Sequence, residues 1–348
     1  MKAACLRGWA APLVLEELAR PRPGPGELLV RIRATGVCRT DLHLWKGHWP
    51  GAKRDMERLG VRVLGHEGVG EVEEVGLGVR RFSEGDRVGI GWMNHWCGLC
   101  YACSSGAPQW CEELRETSVH LNGTYAEYAI VSERGARAIP AFLSYEQAAG
   151  LLCGGLTAYG AVRKLVTDVG LPPGRKVAVL GAAGGLGHYA VQIAKAFGYA
   201  VLGIEKGAAR VRFVEELGAD VALDAEEGVG ALRAKAKDVH AALVLAPTIE
   251  AYGLALRLLS PPGALIAVGS PAEEQGPLPA SPDFLLAKGI RVLPSLVGLP
   301  HEFEELLALY EQGKVRSHIG RLAPLEEVNR VLQELQGGRY LGRAVLKP

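Results

Sequence analysis

Four cysteines close together in the chain suggest a metal site: Cys97, Cys100, Cys103 and Cys111. Glycine, serine and proline residues lie among them and favour turns. Four thiolates at this spacing can surround a zinc ion tetrahedrally and leave no position open, which is typical of structural sites. Disulfides or free thiols are the alternative, which a chain without an export signal disfavours. The segment is therefore predicted to hold a structural zinc ion.

A second set of possible ligands is dispersed along the chain: Cys38, His66 with the adjacent Glu67, and Cys153. Two thiolates and one imidazole would leave a fourth zinc position for water or substrate, as a catalytic site requires. Taken singly, each residue has an ordinary alternative, because cysteines are often small buried side chains and histidines often lie on the surface. Spacing alone leaves open whether these residues meet.

A glycine-rich turn lies within residues 176–205, a stretch whose pattern predicts strand, turn, helix and strand. Glycines let the backbone turn tightly against a pyrophosphate, and the helix N-terminus favours negative charge. An acid at the end of the second strand would bind ribose hydroxyls and repel a 2′-phosphate, which favours NAD over NADP. The predicted cofactor-binding residues are Gly181, Gly184, Gly185, Leu186, Gly187, Glu205 and Lys206. One extra residue separates this pattern from a strict G-x-G-x-x-G, so a glycine-rich turn in another α/β protein is the alternative.

The elements around these residues predict two kinds of domain. Residues 28–34, 68–75, 87–91 and 126–131 form alternating or apolar runs typical of strands, which predicts a β-rich, barrel-like first domain. From about Tyr145 strands alternate with helices, which predicts a doubly wound parallel sheet. The expected division is a first domain over residues 1–149, to which residues 290–348 return, and a cofactor domain over residues 150–289.

Composition excludes several classes of partner. The 348 residues are 48% hydrophobic and 22% charged, with a formal net charge of +1, which gives no electrostatic reason to expect nucleic acid or an anionic membrane. No run of about 18 apolar residues occurs, and the N-terminus has no apolar core of signal-peptide length. A cytoplasmic location is therefore expected.

Several motifs resemble those of the zinc-containing alcohol dehydrogenases of the medium-chain dehydrogenase/reductase superfamily, nearest to the tetrameric yeast and bacterial branch. They run in the family's order over essentially the whole chain. The motifs are Gly36-Val-Cys38-Arg-Thr40-Asp41-Leu-His43, Trp45-Lys-Gly47-His-Trp49-Pro50, Gly65-His66-Glu67-Gly68, Gly85-Asp86-Arg-Val-Gly89, the four-cysteine segment, Gly123-Thr-Tyr125-Ala-Glu127-Tyr128, Cys153-Gly-Gly-Leu-Thr157-Ala-Tyr159 and the glycine turn.

The resemblance implies a GroES-like catalytic domain and a Rossmann cofactor domain, two zinc ions per subunit, NAD and a homotetramer. It implies reversible oxidation of small alcohols to aldehydes or ketones. The roles it implies are catalytic zinc ligands Cys38, His66 and Cys153 with Glu67 beside the metal, a proton relay from Thr40 through the cofactor ribose to His43, orientation of His66 by Asp41, and pyrophosphate contacts from Arg39 and Arg343. His43 is expected to titrate near neutrality.

Trp49 and Trp92 occupy positions that resemble substrate-pocket aromatics and would favour small primary alcohols, although core aromatics are nearly as good an interpretation. The alternatives are a zinc enzyme of the same superfamily that acts on polyols, sugars or aldehyde adducts, and a catalytically silent NAD-binding protein. Residues 51–59 and 271–282 match the family least.

Overall fold

The chain forms two compact units. The computed structural model describes Met1–Pro348, except for the side chain of Glu273. The first unit comprises Met1–Gly154 and Ser317–Pro348, and the second comprises Gly155–Arg316.

The strands follow the apolar and alternating runs of the sequence. In chain order they are β1 (Lys2–Cys5), β2 (Val14–Glu17), β3 (Glu27–Val37), β4 (Gly68–Val75), β5 (Arg87–Ile90), β6 (Met93–His95), β7 (Arg115–Glu116), β8 (Tyr128–Ser132), β9 (Ala136–Ala138), β10 (Lys176–Leu180), β11 (Ala200–Glu205), β12 (Val221–Asp224), β13 (Val239–Val244), β14 (Leu259–Ala267), β15 (Ile290–Pro294), β16 (Ile319–Pro324) and β17 (Arg343–Lys347). The four runs predicted near the N-terminus correspond to β3, β4, β5 and β8.

Twelve α-helices lie in the described part of the chain. In chain order they are α1 (Arg39–Lys46), α2 (Pro50–Leu59), α3 (Tyr101–Ser104), α4 (Tyr145–Ala149), α5 (Leu156–Thr167), α6 (Gly187–Ala196), α7 (Ala208–Glu216), α8 (Val229–Lys235), α9 (Ile249–Leu258), α10 (Pro282–Lys288), α11 (Pro300–Glu311) and α12 (Val328–Gln336). Gly47 ends α1 in the left-handed conformation, with φ 67°. A π-helical turn, Leu151–Gly155, separates α4 from α5.

The first unit is built around β3. Its large sheet has the order β16-β17-β3-β4-β5-β9, and β8 also pairs with β3. Alternate β3 side chains, Leu28, Val30 and Ile32, pack in a core with Val72 and Val88. β17 pairs antiparallel with the end of β3, so that Ala344 lies opposite Val37. The C-terminal strand is thereby held beside the start of α1.

The second unit contains one parallel sheet of order β12-β11-β10-β13-β14-β15. The central strands are apolar on both faces because helices cover parallel sheets from both sides. Val177, Ala178 and Val179 of β10, for example, are completely buried. The predicted fold class, a GroES-like β-rich domain with a Rossmann domain, is confirmed.

The predicted start of the C-terminal return at residue 290 differs from the structure. β15 pairs in parallel with β14, from Gly263 opposite Ile290 to Ala267 opposite Pro294, so it extends the Rossmann sheet. The return to the first unit begins at Ser317. Pro294 ends this edge strand, where the missing N–H interrupts no ladder.

Candidate active site and metal centres

Four side chains from distant parts of the first unit meet in one buried cluster. The potential ligand atoms of Cys38, His66, Glu67 and Cys153 all lie within 4.8 Å of one another. The two sulfur atoms are 3.9 Å apart. Cys38 is the N-cap residue of α1, His66 and Glu67 directly precede β4, and Cys153 lies in the π-helical turn. The structure thus brings together the dispersed set named from the sequence.

The carboxylate of Asp41 holds the His66 imidazole in one orientation. Asp41 is fully buried in the first turn of α1. Its Oδ1 accepts hydrogen bonds from His66 Nδ1 at 3.0 Å and from the Gly65 N–H at 3.1 Å. Its Oδ2 accepts from the Cys38 N–H and from the Tyr125 hydroxyl, both at 2.9 Å. Because a carboxylate can only accept, Nδ1 carries a proton, which leaves Nε2 as the nitrogen available to a metal ion.

The donor set fits a zinc ion. His66 Nε2 is buried and has no hydrogen-bond partner among the described residues, a costly situation that a cation would relieve. The hydrogen bond from Cys153 and the nearby charge of Arg343 hold the pKa of the Cys38 thiol well below its usual range, against the effect of burial. A thiolate, a second cysteine and an imidazole lone pair are ligands that zinc prefers.

Glu67 and Arg343 form a buried ion pair beside this cluster. Arg343 Nε donates to Glu67 Oε2 at 2.9 Å, and its Nη2 contacts Oε1. Glu67 is completely buried and Arg343 is 3% exposed. A Cβ at Gly36 would lie only 1.9 Å from Glu67 Oε2, so a glycine is needed there. The pairing of β17 with β3 brings the Arg343 guanidinium to Glu67. The pyrophosphate contact that the resemblance implies for Arg343 stays a prediction.

Aromatic rings line one side of the cluster. Trp92 meets the His66 ring edge-on, with centroids 5.2 Å apart, and lies 6.5 Å from Trp49. Trp49 stacks on His43 with centroids 5.3 Å apart. Trp92 Nε1 donates to Glu116 Oε1 at 3.0 Å, and burial raises the pKa of Glu116 to about 6. Trp92 therefore lies next to the predicted ligand His66, and Trp49 lies between Trp92 and His43.

His43 differs from its expected titration near neutrality. Burial, followed by the neighbouring His48 and Arg39 side chains, lowers the pKa of His43 to about 4. Thr40 and Arg39, both half-buried, lie in the first turn of α1, and Arg39 Nη2 also donates to the Leu335 carbonyl at 3.5 Å. His43 is consequently neutral at neutral pH, so it can accept a proton but retains it poorly.

The four-cysteine cluster is formed by local chain. The sulfur atoms of Cys97, Cys100, Cys103 and Cys111 lie within 4.8 Å of one another, and Cys111 Sγ is 3.5 Å from Cys97 Sγ. The backbone N–H groups of Leu99 and Cys100 donate to Cys97 Sγ and lower the pKa of Cys97 to about 6. None of the described cysteines forms a disulfide. Four thiols without another ligand fit a closed tetrahedral zinc site.

The glycine turn joins β10 to α6 through close backbone contacts. Gly181 has φ 83°, and a Cβ at Gly187 would lie 2.1 Å from the Gly181 carbonyl oxygen. The turn between them contains Gly184, Gly185 and Leu186, of which Leu186 is the N-cap residue of α6. A side chain at Gly187 would block the close approach of helix and strand that a dinucleotide-binding turn requires.

Glu205 ends β11 beside this turn. Its Oε2 accepts the N–H of Ala183 at 2.9 Å, and its Oε1 lies 3.3 Å from Arg210 Nε. Lys206, the next residue, is exposed. Glu205 is therefore hydrogen-bonded to the glycine turn, and its contact with the ribose stays a prediction.

Two family models match the chain. Residues 24–141 match the alcohol dehydrogenase GroES-like domain, and residues 185–312 match the zinc-binding dehydrogenase domain. An alcohol dehydrogenase of Geobacillus stearothermophilus is 39% identical over 100% of this chain and 99% of its own length. The chain belongs to the zinc-type alcohol dehydrogenase family. It is thus a zinc-dependent oxidoreductase that acts on alcohols, as the sequence predicts.

Other members of the family are similar to this chain over its full length. An alcohol dehydrogenase of Rhizobium meliloti (strain 1021) is 37% identical over 99% of this chain and 98% of its own. The crystal structure of the Aeropyrum pernix alcohol dehydrogenase superposes with a TM-score of 0.89 at 35% identity and covers 100% of both chains. A cobalt- and zinc-bound thermostable alcohol dehydrogenase from Pyrobaculum aerophilum has a TM-score of 0.88 at 30% identity, over 100% of this chain and 99% of that one.

In the part of the chain that the structure describes, no helix combines the length and the apolar character needed to cross a bilayer.

Three further contributors to the site escaped sequence reasoning. Tyr125 bonds Asp41, Glu116 bonds Trp92, and His48 contacts His43. Tyr125 and His48 lie in motifs that match the family, but no spacing rule links either of them to its partner. Glu116 lies outside those motifs.

Replacing Asp41 with asparagine should weaken zinc binding at the cysteine–histidine cluster. The amide has one accepting oxygen for the four donors that meet the carboxylate, so His66 loses its fixed tautomer. Loss of such a partner typically lowers metal affinity about 10- to 100-fold. Competition with a chromogenic chelator measures the affinity of this site. Tyr125→Phe, which removes one of the four donors, should change it much less, and equal affinities in Asp41→Asn and the native chain would refute the assignment.

Proposed function

We propose that the chain catalyses reversible oxidation of small primary alcohols to aldehydes with NAD as hydride acceptor, and that it accepts some secondary alcohols. The observation that carries this proposal is the buried set of Cys38, His66 and Cys153. Asp41 fixes the imidazole of His66, and His66 Nε2 has no hydrogen-bond partner within the described part of the chain. Two sulfur donors and one nitrogen donor leave one position of a tetrahedral site for the substrate.

Cys38, His66 and Cys153 would hold the catalytic zinc ion, and the four-cysteine cluster would hold a structural one. Zinc at the first site acidifies a hydroxyl group bound to it, which makes an alcohol a better hydride donor near neutral pH. Glu67 lies beside these ligands, but its charge is balanced by Arg343. We therefore assign Glu67 as a neighbour of the metal.

The proton released by the alcohol needs acceptors from the chain. By resemblance, the Thr40 hydroxyl receives it first and passes it toward His43. Both residues belong to α1, the helix that Cys38 begins. A hydroxyl can accept and donate at once, and neutral His43 has a free accepting position on one of its two nitrogens, so the pair can move a proton without separating charge over a long distance.

The preference for small alcohols rests on Trp49 and Trp92. Trp92 is 9% exposed, packs against His66 and is anchored by its hydrogen bond to Glu116. Anchored indole rings occupy fixed volume beside the donor set, which disfavours bulky substituents on the reacting carbon. Polyols would also lack polar partners on these ring faces.

The preference for NAD rests on Glu205, and its replacement by alanine should raise the use of NADP. The substitution removes the negative charge that repels a 2′-phosphate and keeps Arg210 nearby. A new charged hydrogen bond contributes about 1.5–3 kcal/mol, so the ratio of kcat/KM for NADP to that for NAD should rise about tenfold or more. The double variant Glu205→Ala/Arg210→Ala should lose this gain. An unchanged ratio in the single variant would contradict the role of Glu205.

The direct test combines metal content with a substrate panel. Purified protein should contain two zinc ions per chain and should reduce NAD faster than NADP with ethanol and benzyl alcohol. A secondary alcohol should react more slowly and a polyol hardly at all. A zinc content of one ion per chain without turnover would be consistent with the four-cysteine site and would refute the catalytic site. Faster turnover of polyols would favour the alternative, a zinc dehydrogenase of the same superfamily that acts on polyols.

The proposal includes a homotetramer in the cytoplasm, as the resemblance to the yeast and bacterial branch implies. Analytical ultracentrifugation of the zinc-loaded protein would test the oligomeric state, with four times 37.0 kDa as the expected mass.

A further inference from the structure

Two histidine rings meet at the end of α1. His43 Nδ1 lies 3.2 Å from His48 Nδ1, with ring centroids 5.4 Å apart. The left-handed Gly47 reverses the chain after the helix, and the His48 N–H then donates to the His43 carbonyl at 3.0 Å. The helix cap therefore determines the contact between the rings. Both side chains are half-buried.

Two imidazole nitrogens at this distance share one proton, because one must donate and the other must accept. With Nδ1 engaged by His48, Nε2 of His43 is the position at which a proton can arrive. Burial, followed by the neighbouring His48 and Arg39 side chains, keeps the pKa of His43 at about 4, so a proton that reaches His43 at neutral pH does not stay there. It must move to another base.

We propose that His48 is a second proton carrier, which takes the substrate proton from His43 and releases it to water. This inference rests on the proposed function, in which His43 receives that proton. In the forward step, Nε2 of His43 gains a proton, Nδ1–H of His43 passes its proton to Nδ1 of His48, and Nε2–H of His48 gives a proton to water. One proton enters, one leaves, and both rings end neutral. Exchange with water restores the first tautomers between turnovers.

The other groups around His43 do not serve as acceptors. The charged neighbours on α1 are the cations Arg39 and Lys46, which have no accepting atom, and the Cys38 thiolate, which is assigned to zinc. Trp49 stacks on the His43 ring, and its indole has only a donor. His48 is the neighbour that contacts a ring nitrogen directly and can accept there.

The test uses His48→Asn in the zinc-loaded enzyme. Asparagine keeps a polar group near the place of Nδ1 but cannot carry a proton. Stopped-flow measurement would follow NADH formation by absorbance and proton release by a pH indicator in the first turnover with ethanol. We expect proton release to slow about tenfold, since a lost proton carrier costs at least that much. The KM for NAD should stay the same, and added imidazole should restore the rate.

Lys46→Gln is the matched control, because it removes a charge close to His43 without removing a ring; proton release should keep its native rate. Native rates in His48→Asn, or a loss that imidazole leaves unchanged, would overturn the proposal. If native enzyme forms no NADH with any alcohol, the proposed function fails instead. In that case ¹⁵N NMR spectra of the histidine rings test the His43–His48 contact independently of turnover. A proton shared between the two Nδ1 atoms is expected in the native chain, and its absence would overturn the proposal.

Discussion

Cys38→Ser should abolish turnover and leave the fold intact. The substitution exchanges a thiol whose pKa is held low for a hydroxyl that stays protonated, so one zinc donor is lost. Mutation of a residue that only orients a metal ligand typically lowers metal affinity or activity about 10- to 100-fold. Loss of a ligand itself should therefore lower kcat at least about a hundredfold. Steady-state kinetics with ethanol and NAD, together with zinc content, would measure this. The zinc content should fall from two ions to one.

Cys103→Ser is the informative comparison, because it also removes one sulfur donor. The four-cysteine cluster holds together a segment with little hydrophobic core of its own, in which Leu99 and Tyr101 are each 88% exposed. Zinc content should again fall to one ion, but stability should fall before activity does, since metal binding supports folding at such sites. Full kcat in Cys38→Ser would show that Cys38 is not a catalytic ligand.

Arg343→Met should destabilise the protein by about 3–5 kcal/mol, because it leaves the Glu67 carboxylate buried without its partner. Methionine retains much of the apolar volume of the arginine side chain, so the decrease in the free energy of unfolding is due mainly to the lost charge. Urea unfolding of the zinc-loaded protein, followed by circular dichroism, would measure the change in the free energy of unfolding.

Two variants show whether burial causes this effect. Arg33→Met removes a similar arginine from its ion pair with Glu71, but those side chains are 37% and 35% exposed. Exposed pairs contribute about 0–1 kcal/mol, so this variant should be nearly neutral. Combining Arg343→Met with Glu67→Gln should recover part of the lost stability, because no charge then remains buried alone. Equal losses in Arg343→Met and Arg33→Met would contradict the buried ion pair.

Local features of this protein were predictable from the sequence. The four cysteines near residue 100 and the glycines of the turn after β10 act within short stretches, where spacing limits the backbone to a few arrangements. The strands and helices of the second unit were also predictable, because apolar runs alternate with helical periodicity. The domain boundary expected at residue 290 was wrong. A short apolar strand such as β15 has no sequence feature that indicates which of two sheets it joins.

The sequence by itself determined which residue types can bind zinc, the glycine turn with the acidic residue Glu205 after it, and the protein family. These depend on residue type and on order along the chain. The tertiary structure alone decided that Cys38, His66 and Cys153 meet, that Asp41 binds Tyr125, and that Arg343 pairs with Glu67. The last two residues are 276 positions apart and meet because β17 pairs with β3. Burial of that pair, and the low pKa of His43 beside His48, follow from packing, because desolvation and neighbouring charge depend on the groups that surround a residue in space.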